Sequence, residues 1–126
     1  LMSDCYIAND YAQIQGDVLK FNGPQRAPRS ALNGPESLSD ATFLFGTLSN
    51  SQKMDPAIFQ VWVNILRRFP GSQMGIVEHA GSSVYIPNLH RNGLSFGIEE
   101  YRLVGIKQTP WIDHLYVKTS FDLMLD

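Results

Sequence analysis

An unbroken apolar run, Ala41-Thr42-Phe43-Leu44-Phe45-Gly46, leads through a polar loop to the helix start Asp55-Pro56 and constrains this chain more than any other segment. A run without polar alternation, bounded by turn residues, predicts a strand covered on both faces, as in a parallel sheet. Asp55 offers a side-chain oxygen as N-cap, and Pro56 is a first-turn residue whose missing N–H costs nothing. From there Ile58, Val61, Trp62, Ile65, Leu66 and Phe69 recur at spacings of three and four, which predicts one apolar face, with Gln60, Asn64, Arg67 and Arg68 elsewhere. The periodicity reads that stripe as core and not as a cofactor-binding surface. Pro70-Gly71 ends the helix, Arg67 and Arg68 suit its negative end, and Met74-Gly75-Ile76-Val77-Glu78 reads as a second strand. The result is a β-α-β unit.

A second round follows. Pro87 marks a helix start, Asn88 to Phe96 a short helix interrupted by Gly93, and Gly97 its stop. Arg102-Leu103-Val104-Gly105-Ile106 predicts a third strand, Ile112 to Lys118 a helix after the loop holding Thr109-Pro110, and Leu123-Met124-Leu125 a fourth strand. Strands alternating with helices at this spacing imply an α/β fold with a parallel sheet. In such sheets ligands collect at the carboxyl ends of the strands, here the loops after Gly46, Glu78 and Ile106. Residues 1 to 22 show no sustained period, and Gly23 to Asp40, rich in Pro, Gly and Ser, reads as a loop or linker entering the domain.

The bulk properties narrow the function. A 126-residue chain, 44% hydrophobic, suits one globular unit. A net charge of -2 gives no overall attraction for nucleic acid or anionic membrane, so any phosphate binding is local. The single cysteine, Cys5, has no internal disulfide partner, which favours a reducing, intracellular setting. No apolar run is long enough for a membrane span, and Leu1-Met2-Ser3-Asp4-Cys5 lacks the pattern of a signal peptide. His79 and His90 have no neighbours at metal-ligand spacing, Gly93-Leu94-Ser95-Phe96-Gly97 is too weak a pattern for a phosphate loop, and no Gly-x-Ser-x-Gly elbow is present. No metal site is expected. Because the chain opens and closes on apolar segments, it reads as an excerpt from a longer polypeptide.

Several motifs, in order and spacing, resemble protein O-GlcNAc transferases and the related plant SPINDLY proteins. They are Gly46-Thr47-Leu48-Ser49-Asn50, Lys53-Met54-Asp55-Pro56, the helix from Gln60 to Ser72, and Pro110-Trp111-Ile112-Asp113-His114. The resemblance covers roughly residues 29 to 126 and ends on Phe121-Asp122-Leu123-Met124-Leu125-Asp126, which looks like the strand before the family's pyrophosphate-binding threonines. It implies a two-lobed glycosyltransferase B fold whose Rossmann-like C-terminal lobe binds a UDP-sugar. On that basis residues 1–28 are an inter-lobe segment and linker, and residues 29–126 part of the nucleotide-sugar-binding domain. The implied activity is inverting transfer of GlcNAc from UDP-GlcNAc to Ser or Thr hydroxyls of proteins in the cytoplasm and nucleus, with no cofactor beyond that donor. A SPINDLY-like O-fucosyltransferase using GDP-fucose and a non-catalytic remnant of the same fold are the alternatives. Alone, the chain is expected to be inactive and to bind UDP weakly if at all.

The site residues come from the same resemblance. In the family the lysine matching Lys53 contacts the diphosphate and stabilises the leaving UDP; a point charge beside a helix N-terminus suits that task, while a lone lysine there is more often simply solvated. Asn50 matches an amide near the sugar-phosphate, its alternative being a loop-forming Asn. His114 matches a histidine near the uridine, and Thr109 a residue offering backbone groups to the uracil edge, or else an ordinary loop residue. Trp111 stands where the animal enzymes carry a basic residue; it either stacks on the base or covers the helix start. Leu48 and Ser49 depart from the family's usual Phe and Asn.

Overall fold

The computed structural model describes residues 27–32, 34–36, 38–49, 53–79, 84–110 and 114–125. Four strands, β1 (Leu44–Thr47), β2 (Gln73–Glu78), β3 (Leu103–Lys107) and β4 (Leu123–Met124), form one sheet in the order β3-β2-β1-β4. All three pairings are parallel, with Gly46 opposite both Gly75 of β2 and Met124 of β4. The helices are α1 (Pro56–Arg68), α2 (Tyr85–Ser95) and α3 (His114–Lys118). Short 3-10 turns occupy Arg29–Leu32 and Glu100–Arg102.

Side chains alternating along the strands feed two cores. Phe45, Met74, Ile76 and Leu103 pack against α1 and α2 on one face. Leu44, Val104 and Ile106 pack against Leu32, Val117 and Phe121 on the other. The second core is built around one close approach: Cβ atoms added at Gly46 and Gly75 would lie 2.2 and 2.8 Å from the Phe121 ring. These paired glycines let the ring lie flat on the sheet.

The α1 start is as expected, with Asp55 Oδ1 accepting from Ile58 N at 2.8 Å. Its buried face is not. Phe59, Trp62, Val63 and Leu66 face the core, whereas Ile58, Val61 and Phe69 are exposed. Both sets satisfy spacings of three and four; the helix is apolar over two adjoining stripes, and packing against the sheet selects the one centred on Phe59 and Val63.

Other boundaries shift for local reasons. The first strand begins at Leu44, not Ala41, because Thr42 and Phe43 precede the ladder. Pro87 lies inside the first turn of α2 and not at its head, since no residue in that turn needs an intrahelical N–H partner. Gly93 stays in the helix: a Cβ there would meet Leu103 Cδ1 at 2.7 Å, so the glycine allows α2 to press on β3. Gly97 stops α2 with a left-handed φ of 77°.

Two buried arginines fasten the amino end of the sheet. Arg102, expected in a strand, sits instead in the 3-10 turn before β3 and is 6% exposed. Its guanidinium donates to Leu66 O at 2.7 Å, Phe69 O at 2.9 Å and Ser72 O at 2.9 Å, satisfying carbonyls at and beyond the end of α1. Arg29, 3% exposed, donates to Asp122 Oδ2 at 2.6 Å, to Thr42 O at 3.1 Å and to Ser120 O. Asp122 Oδ2 also accepts from Leu44 N at 2.6 Å. The Pro/Gly/Ser-rich stretch thus contributes Ala27, Arg29 and Leu32 to the packed interior.

Candidate nucleotide-sugar site

The chain winds from β1 through β2 to β3, then crosses to the opposite flank of β1 to form β4. The reversal opens a crevice beside the carboxyl end of β1, the place where open α/β sheets bind ligands. A groove of about 830 Å3 lies there. One wall is Thr47, Leu48 and Ser49 leaving β1, with Met124 of β4 and Leu125 just after it. The other is the second apolar stripe of α1, Ile58, Val61 and Ile65, with the rim of Trp62. The stripe expected to be wholly core is therefore divided: Trp62 and Leu66 are buried as expected, Ile58, Val61 and Ile65 wall the groove, Phe69 is exposed, and Phe59 and Val63 join the core in their place.

Lys53 lines this groove at the foot of the Asp55-capped helix, its side chain exposed. Met54 lines it too and is held from behind by the Tyr85 hydroxyl, 3.0 Å from Met54 Sδ. Burial pushes the Tyr85 phenol up to about 12, so it remains a neutral donor across the physiological range. The Thr47 hydroxyl, 1% exposed, lies 3.4 Å from Ser49 N and turns the chain out of β1. Lys118, at the end of α3, enters the same groove.

The remaining expected site residues are placed differently. Asn50 and Trp111 lie outside the described residues. His114 is the first residue of α3. Thr109 is partly buried on the loop after β3 and does not line the groove. The strand order puts β3 two strand spacings from β1, roughly 10 Å away. Lys118 carried no signal in the sequence, because its approach to the groove depends on which strand neighbours β1, and the contact of Tyr85 with Met54 spans 31 residues. His90 is occupied structurally: its Nε2 lies 2.7 Å from Leu103 O and ties α2 to β3. No helix among the described residues is long and apolar enough to cross a membrane.

No family model matches the chain. Over 74 residues, 59% of its length, it is 38% identical to an Arabidopsis thaliana protein named "Probable UDP-N-acetylglucosamine--peptide N-acetylglucosaminyltransferase SEC". It spans 7% of that relative. In structure it matches a lysine-to-methionine mutant of the O-GlcNAc transferase of Thermobaculum terrenum with a TM-score of 0.64 and 22% identity, covering 83% of this chain and 18% of the other. The parallel α/β sheet is therefore the Rossmann-like architecture of a glycosyltransferase B fold. Both comparisons bear out the resemblance read from the motifs: in sequence and in fold, this chain is similar to the protein O-GlcNAc transferases.

Proposed function

We propose that this chain contributes the nucleotide-sugar-binding part of an inverting glycosyltransferase that moves GlcNAc from UDP-GlcNAc to Ser or Thr hydroxyls of cytoplasmic and nuclear proteins. The observation that carries this reading is Lys53, exposed on the switch-point groove immediately before a capped helix start. When an acceptor hydroxyl attacks the anomeric carbon, the bond from that carbon to the diphosphate oxygen breaks and negative charge develops on UDP. The Lys53 ammonium and the positive end of α1 stabilise that charge. The apolar wall of Ile58, Val61 and Ile65 lowers the local dielectric and strengthens the interaction.

In this reading the base extends along the strand ends toward Thr109, and Asn50, Trp111 and His114 keep the roles that the resemblance implies. The separation between β1 and β3 suits the reach from a diphosphate to its base. The Arabidopsis relative's name specifies UDP-N-acetylglucosamine as donor, which favours UDP over GDP. The test is a titration of the complete protein with UDP and with GDP. Tighter binding of UDP supports the proposal. Preference for GDP overturns the donor assignment in favour of a fucosyl donor, and binding of neither overturns the nucleotide site itself.

A further inference from the structure

The groove contains a second cation that the reading above does not use. Acidic residues outnumber basic ones in this chain, 12 to 10, yet among the described residues the charged side chains on the groove wall are Lys53 and Lys118, with no carboxylate beside them. Among the described residues, the acids nearest these lysines in sequence are engaged elsewhere. Asp55 caps α1 through Ile58 N, and Asp122 is paired with Arg29 while accepting from Leu44 N. Neither lysine makes an ion pair among the described residues. Two ammonium groups from separate elements, the loop before α1 and the end of α3, thus share one partly apolar groove without a counter-ion among the described residues.

Unneutralised like charges on one groove repel, and a ligand bearing more than one negative charge relieves that repulsion. A single phosphate or carboxylate needs one such contact. A diphosphate offers oxygens on two phosphorus atoms, enough to engage two amines that line one groove. Resting on the nucleotide-sugar reading above, we infer that Lys118 is a second diphosphate-binding residue, so that the phosphates are held between Lys53 and Lys118. Being at the last turn of α3 gives Lys118 favourable contact with that helix end as well, but a five-residue helix has few aligned peptides to occupy it.

The test is affinity labelling of the full chain with uridine diphosphopyridoxal, whose aldehyde condenses with a nearby lysine amine, releasing water, to an imine that borohydride reduces. Peptide mass spectrometry reads which lysine is labelled. The chain has four lysines, Lys20, Lys53, Lys107 and Lys118. The inference expects label on Lys53 and Lys118 above Lys107, with excess UDP suppressing both. In parallel, Lys118→Gln weakens UDP about tenfold, the scale of one charge-assisted contact, and leaves uridine binding unchanged. Lys118→Arg retains UDP binding, and Lys107→Gln changes neither ligand. Label on Lys53 alone, with Lys118→Gln binding UDP as the parent chain does, overturns the inference and leaves the nucleotide-sugar reading standing. Loss of UDP and uridine together in Lys118→Gln also overturns it, since that marks a structural role. No preference for either lysine, with UDP bound no better than uridine, overturns both.

Discussion

The foot of the sheet and the groove beside β1 use cations in opposite ways. At the foot, Arg29 and Arg102 are buried, 3% and 6% exposed, and each guanidinium is matched to backbone carbonyls or a carboxylate. In the groove, Lys53 and Lys118 line open space without a described ion pair. Arginine's planar fork satisfies several acceptors at once and suits a fixed joint; lysine's compact, hydrated charge suits a site that exchanges water for ligand. The foot should therefore govern stability and the groove binding.

The strongest way to break this contrast is Asp122→Ala, which leaves Arg29 buried without its carboxylate and removes the acceptor of Leu44 N. Chemical denaturation should show a loss of about 3–5 kcal/mol; a loss under ~1 kcal/mol would mean the pair is dispensable. Arg102→Met comes next, uncovering carbonyls at and after the end of α1. A loss of about 2–3 kcal/mol is expected in the same assay. Asp55→Ala removes the N-cap at Ile58 and should cost about 1 kcal/mol. Because Asp55 also fixes the helix start behind Lys53, this variant should weaken UDP binding as well, which sharpens the boundary between the regions.

Tyr85 adds a pH signature. Its folded value, raised by burial to about 12 from an ordinary 10, means the neutral phenol is favoured by the fold. That contribution is complete below pH 10 and is lost as pH rises from about 10 through 12. Tyr85→Phe should flatten this alkaline slope in urea titrations, whereas an unchanged slope would assign it to other groups. The smallest stability effect belongs to Lys53→Gln, within about 0.5 kcal/mol of the parent chain as for an exposed side chain. A larger destabilisation would show that Lys53 is a structural cation like the arginines.

What was legible in the sequence was local. The Asp55-Pro56 start, the stop at Gly97 and the alternation of strands with helices all depend on neighbours in the chain, and the structure contains them. The buried face of α1 was misread because Ile58-Val61-Ile65 and Phe59-Val63-Leu66 share one periodicity; only the sheet's position separates them. Arg29 and Asp122 stand 93 residues apart, so no window of sequence contains their pairing. Lys53 could be singled out as a candidate because the loop and helix around it carry a motif, and it lines the groove. Lys118 could not: it reaches the groove only because β4 returns beside β1.

The central claim, that the groove beside β1 binds a nucleoside diphosphate, is tested most directly by amide chemical-shift mapping of the 15N-labelled chain during titration with UDP. The account predicts shifts concentrated at Thr47 to Ser49, Lys53 to Ile58 and Lys118, saturating together, with the amides around Arg29 and Arg102 unmoved. Saturable shifts centred on the foot of the sheet, with the groove unmoved, would contradict it.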